Sequence, residues 1–146
     1  MAITTNPPNT IWLGGPRTEI GDRSAKAAVT PGHLVERVNT AGVHQWQKHA
    51  TAGGNTTRAV ATEQSMLNKT IEDAYAAEDL MEVSELAGGS SALMFIASGQ
   101  NIAYGDSLES AGDGTLRILA SGTALFRALE TKANVTVLTR IRVEAV

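Results

Sequence analysis

The sequence predicts a mainly β fold: a small β-barrel or sandwich domain with an extended N-terminal arm. Three observations carry that reading. From residue 88 onward, short apolar runs recur between glycines at a spacing suited to strands and tight turns. The final segment, NVTVLTRIRVEAV, alternates with the period of two that marks a half-buried strand. All four prolines fall within residues 1–31, alongside Gly14, Gly15 and Gly21. Proline fixes φ and removes a donor, and glycine resists ordering, so this stretch favours an extended path over a packed element.

Residues 1–32 are accordingly read as the arm and residues 33–146 as the β-rich domain. The arm carries Ile11, Trp12 and Leu13. A Trp in such a segment needs a surface to bury against, on its own domain or on a neighbour. Within residues 33–50, HLVERVNTAG reads as a strand turning at Gly42, and VHQWQKHAT alternates after it. Gly53-Gly54-Asn55 signals a loop, and RAVATE (58–63) a short strand. Residues 69–87 are rich in Ala, Glu, Leu and Met, which favours helix by propensity. Yet Ile71, Tyr75 and Leu80 share no helical stripe, so the expectation is a loop followed by a strand near 79–86.

Gly88-Gly89 precedes the apolar run ALMFIA, and Gly99 precedes NIAYGD. Asp113-Gly114 is the strongest short hairpin signal in the chain. In the last segment Val135, Val137, Thr139, Ile141, Val143 and Ala145 share the face expected to be buried. Thr136, Leu138, Arg140, Arg142 and Glu144 share the outward face, where the two arginines make a small basic strip.

Composition narrows the function classes. A chain of 146 residues fits one ordinary domain. Aromatics make up only 4%, so the core rests on Ala, Val, Leu and Ile. The absence of cysteine excludes a disulfide scaffold, a thiol nucleophile and Cys-ligated zinc. Net charge is −3, which gives no global basic footprint for nucleic acid. No secretory signal is visible, and no apolar run reaches membrane-spanning length. The charge is segregated along the chain. Residues 59–113 hold ten acids and one Lys, whereas the segments on either side are net basic. Such a pattern suits self-complementary association or docking on a charged surface.

Motifs for chemistry are missing. His33, His44 and His49 lack metal-ligand spacing, and no HExxH occurs. Asp106, Glu109 and Asp113 lack the alternate-position oxygens of a calcium loop. No GxSxG elbow, P-loop or GxGxxG is present. No catalytic, metal or cofactor residue is assigned, and the expectation is a protein that is not an enzyme. Were there a ligand site, His33, His44, Asp106 and Asp113 would be the residues to line it.

The runs GQNIAYGDSLESAGDGTLRIL, ALFRALE and TRIRVEAV, with LNKTIEDAYAAEDL upstream, resemble small capsid decoration (cement, head-stabilising) proteins of tailed bacteriophages. The resemblance spans residues 58–146, and its most specific pieces are Gly105-Asp106 with Leu108, SAGDGT and RIRVE. It implies a β-tulip-like body and a homotrimer made in the host cytoplasm. It further implies attachment to the outer capsid surface, where the trimer bridges major capsid protein subunits. No cofactor, direct nucleic-acid contact or membrane is implied. On that reading Ile11, Trp12, Leu13 and Arg17 of the arm, with Arg140 and Arg142 of the last strand, are the expected contacts to the capsid or a neighbouring copy. Alternatives are another virion component, such as a head–tail joining or tail protein, and a small ligand-binding β-domain.

Overall fold

The computed structural model describes residues 9–133 and 135–146. Its strands in chain order are β1 (Trp12–Gly14), β2 (Arg17–Ile20), β3 (Val35–Thr40), β4 (Val43–Lys48), β5 (Ala59–Thr62), β6 (Glu82–Leu86), β7 (Ser91–Ile96), β8 (Ser107–Ser110), β9 (Leu116–Ile118), β10 (Phe126–Ala128) and β11 (Thr139–Ala145). Among the described residues the only helical piece is a single 3₁₀ turn at Ser65–Leu67. The mainly β expectation holds, and the barrel alternative is the one realised.

Five strands close the barrel in the order β7, β11, β10, β8, β9, with β9 returning to β7. That closure is a single parallel pair, Ile96 with Leu116. The Ala97 N–H donates to the Leu116 carbonyl at 2.8 Å beside it. Strand β7 is ALMFI-rich because it is covered on both sides. Ala92, Met94 and Ile96 are fully buried, and Leu93 and Phe95 nearly so. This is the continuous apolar run expected of a doubly covered strand. Ile141, Val143 and Ala145 of β11 are buried as the alternation requires. The strand starts at Thr139, however, and Val137 is 68% exposed rather than buried.

A three-stranded sheet (β2, β6, β5) and the β3–β4 hairpin pack beside the barrel around a second core. The hairpin turns through Ala41 and Gly42, both at positive φ, the geometry a two-residue turn demands. Strand β5 joins the two cores by alternation. Val60 enters the barrel core while Ala59 and Ala61 enter the core of Trp46, Met81 and Val83. Leu34 and Val35 divide in the same way. Residues 69–79 form turns rather than helix, as expected, pinned by the buried Ile71 and Tyr75. The Tyr75 hydroxyl donates to the Thr62 carbonyl at 2.5 Å.

From residue 9 onward, the segment expected as an arm is extended and laid along the domain. Strand β1 pairs with β7 and β2 with β6. Residues 1–8, the rest of that segment, lie outside the described residues.

Candidate functional site

Of the expected contact residues, Ile11 is fully buried in the barrel core. Trp12 and Leu13 are half-buried against the same core. The Arg17 guanidinium sits 4.0 Å from the centroid of the Trp12 ring, a cation–π contact. It also donates to Ser84 Oγ at 3.0 Å and pairs with Glu19 at 2.8 Å. Arg17 and Trp12 thus form one surface pair. The two arginines of the last strand separate in role. Arg142 keeps an exposed side chain and pairs with Glu130 at 3.0 Å. Arg140 is tied down within the chain. It donates to the carbonyls of Pro31 (3.0 Å) and Ile71 (2.5 Å), pairs with Glu72 (2.8 Å) and covers the Phe95 ring at 4.3 Å. Alternation correctly turned Arg140 away from the barrel interior, but the face it occupies is covered by the 69–73 loop.

The residues expected to line a ligand site are not brought together as one group. His44 is exposed near the hairpin turn, and Asp106 caps the Ala103 N–H at 2.8 Å. His33 is buried against Phe95, with ring centroids 4.7 Å apart, while the Thr30 N–H donates to its Nδ1 at 3.1 Å. Desolvation, with Lys48 and Arg140 nearby, pushes its pKa down to about 4. Asp113, which draws the pKa the other way, accepts from Thr115 at the turn before Gly114.

A serine, a histidine and a carboxylate do converge. His49 Nδ1 lies 2.6 Å from Ser110 Oγ, and its Nε2 lies 3.7 Å from Glu36. Ser110 is fully buried, and its Oγ also accepts the Gly112 N–H. A hydroxyl so enclosed cannot reach a substrate, so the trio joins the β3–β4 hairpin to the barrel. Glu109 plays a comparable part. It is fully buried, takes two bonds of 2.8 Å from Arg117 and accepts the Gly122 N–H at 2.7 Å. Burial alone would raise its pKa, but these bonds and one from the Ala120 N–H together hold it below the ordinary carboxylate value. No group of three or more metal-binding side chains occurs among the described residues.

Two exposed surfaces remain, the first apolar and the second mixed, and both escaped the sequence reading. The first is the end of the barrel where β7 and β9 finish. It carries Tyr104 (70% exposed), Val137 (68%) and Leu138 (53%), with Ile118 and Leu119 at its edge. Backbone bonds from Gly99 to Val135 and from Leu119 to Ser107, and one from Ile118 to the Gln100 side chain, tie these loops together. The second is a groove of about 510 Å³ beside the three-stranded sheet, lined by Met66, Leu67, Leu80, Glu19, Glu63 and Glu82 among others. Met66 is 95% exposed.

No protein-family model matches the sequence, and no curated protein matches it. Among solved structures, the fold is similar to the N base of head fiber gp8.5 in bacteriophage phi29, with a TM-score of 0.57 and 16% identity. The match covers 90% of this chain and 98% of that one. The likeness is one of fold.

Proposed function

We propose that this chain is a structural protein of a bacteriophage virion. It binds the outer surface of the head as a homotrimer and cements neighbouring major capsid subunits. The observation that carries this reading is the fold shared with a phage head fiber base over nearly the full length of both chains. The polar interior supports it, because the buried histidines and Glu109 are engaged in holding loops rather than facing a cleft. The Trp12–Arg17 pair, with Leu13 and Arg142, is the proposed capsid contact. Modest affinity per copy suffices, since a trimer on a repeating shell attaches at several points at once.

The same likeness favours a second reading, in which the domain is the mount of a projecting fiber. Purified protein added to heads lacking it decides between them. Co-sedimentation in molar amounts near those of the major capsid protein supports cementing. Saturation at a small fraction of that amount supports a mount. No co-sedimentation overturns both.

A further inference from the structure

We propose that the β8–β9 turn, residues 110–115, is a latch beside the barrel seam that acid releases while the rest of the barrel stays folded. Such a latch needs no partner and is independent of the virion reading. Two buried histidines bracket the β3–β4 hairpin, His33 before it and His49 after it, 3% and 2% exposed. The turn is seated on both. Ser110 Oγ lies 2.6 Å from His49 Nδ1, and the Gly114 N–H donates to the His49 carbonyl at 3.1 Å. The Leu34 N–H donates to the Gly114 carbonyl and the Gly53 N–H to the Ser110 carbonyl, each at 2.8 Å. A Cβ on Gly114 would stand 3.2 Å from His33 Cδ2 and 3.0 Å from the Lys48 stem, so the turn is wedged against the ring.

The turn also holds its own shape. The Ala111 N–H donates to the Thr115 carbonyl at 2.9 Å, and the Thr115 N–H to Asp113 at 3.0 Å. It can therefore lift as a unit. One residue further on, Leu116 makes the single parallel pair with Ile96 that closes the barrel. Charge decides when the turn lifts. His33 packs on Phe95 of β7, with the cations Lys48 of β4 and Arg140 of β11 nearby and Asp113 of the turn opposing them. The carboxylate beside His49 is Glu36 of β3, at 3.7 Å, which already accepts from Gln47 and the Ala50 N–H. A proton on either ring puts a charge into a sealed joint, and lifting the turn returns that charge to water. The seated state is therefore most stable above the ordinary histidine pKa and weakens as pH falls toward the depressed one. With His33 at about 4 when seated and at the ordinary 6.5 when released, the open fraction grows about thirtyfold between pH 7.5 and pH 5.

The test is residue-resolved amide exchange by NMR at both pH values, corrected for intrinsic rates, without urea and in low urea. The Leu34, Gly53 and Gly114 amides, whose bonds cross the joint, should open about thirtyfold more often at pH 5. They should exchange faster than the β11 amides and be indifferent to urea, the mark of a local opening. Joint amides that match β11 in rate and urea response mean that only global unfolding exposes them, which overturns the latch. An opening unchanged by acid overturns it too. The double variant His33→Phe with His49→Gln keeps an aromatic ring on Phe95 and a polar partner for Ser110. Its local opening should persist but lose the acid dependence, and acid dependence that survives sinks the proposal. Should that variant not fold, the wild-type ring resonances decide. Rings of His33 and His49 that take up protons while the joint amides stay protected overturn the latch, and rings that stay neutral until those amides open support it.

Discussion

Acid should loosen this fold well before its carboxylates titrate, and His33 is the main reason. The ring is 3% exposed, and its pKa falls from the ordinary 6.5 to about 4. As pH drops, the unfolded chain therefore takes up the proton first. The stabilisation is full above the unfolded value and disappears as pH falls toward the folded one. Between pH 7.5 and pH 5 the linkage amounts to about 2 kcal/mol for this one group. His49, also depressed by burial although Glu36 opposes it, acts in the same direction. The carboxylates held low, Glu109, Asp113 and Asp73, lose their charge only below this window. The assay is urea unfolding followed by Trp fluorescence at several pH values, with the buried Trp46 as reporter. His33→Asn removes the ring packing at every pH, so its absolute stability is uninformative. The informative quantity is the wild-type advantage over the variant, which should shrink by about 2 kcal/mol from pH 7.5 to pH 5. Two curves that run parallel across that range would refute the reasoning.

Other outcomes follow from the same contacts. A Cβ at Gly122 would meet the Gly53 backbone and Glu109 Oε2, so Gly122→Ala should cost about 1–3 kcal/mol in urea unfolding. Glu109→Ala should lower the urea midpoint far more than Glu144→Ala, whose pair with Arg127 is partly solvent-exposed. Arg140→Met should leave the barrel intact while speeding amide hydrogen exchange in residues 69–79, since the guanidinium holds the Ile71 carbonyl and Glu72.

Local rules made much of the fold legible. Gly42 and the alternation on either side of it announced β3 and β4. Asp113-Gly114 announced the β8–β9 hairpin, whose strands pair in the register Glu109 with Arg117. The same signal could not have exposed the buried ion pair, because a two-residue turn at 113–114 would set position 109 across from 118, whereas the loop is centred on Asp113 and brings Glu109 opposite Arg117. What stayed hidden depends on contacts remote in sequence. Barrel closure joins Ile96 to Leu116 without any local cue. The alternation of the last strand gave Arg140 its face, but not the loop from residue 69 that covers it. Val137 followed the pattern of a buried residue yet precedes the first paired residue of β11, where alternation no longer governs burial. Met66 and Leu67, isolated in a polar turn, offered no period to read.

The stretch from Trp12 to Ile20 hems two separate fabrics within nine positions, first the flank of β7 and then the flank of β6. Trimming it would leave two raw β margins, each a template for uncontrolled polymerisation. Any shortened version intended to isolate an N-terminal tail should therefore keep everything from Ile11 onward, whose side chain is sealed beneath the first of those margins.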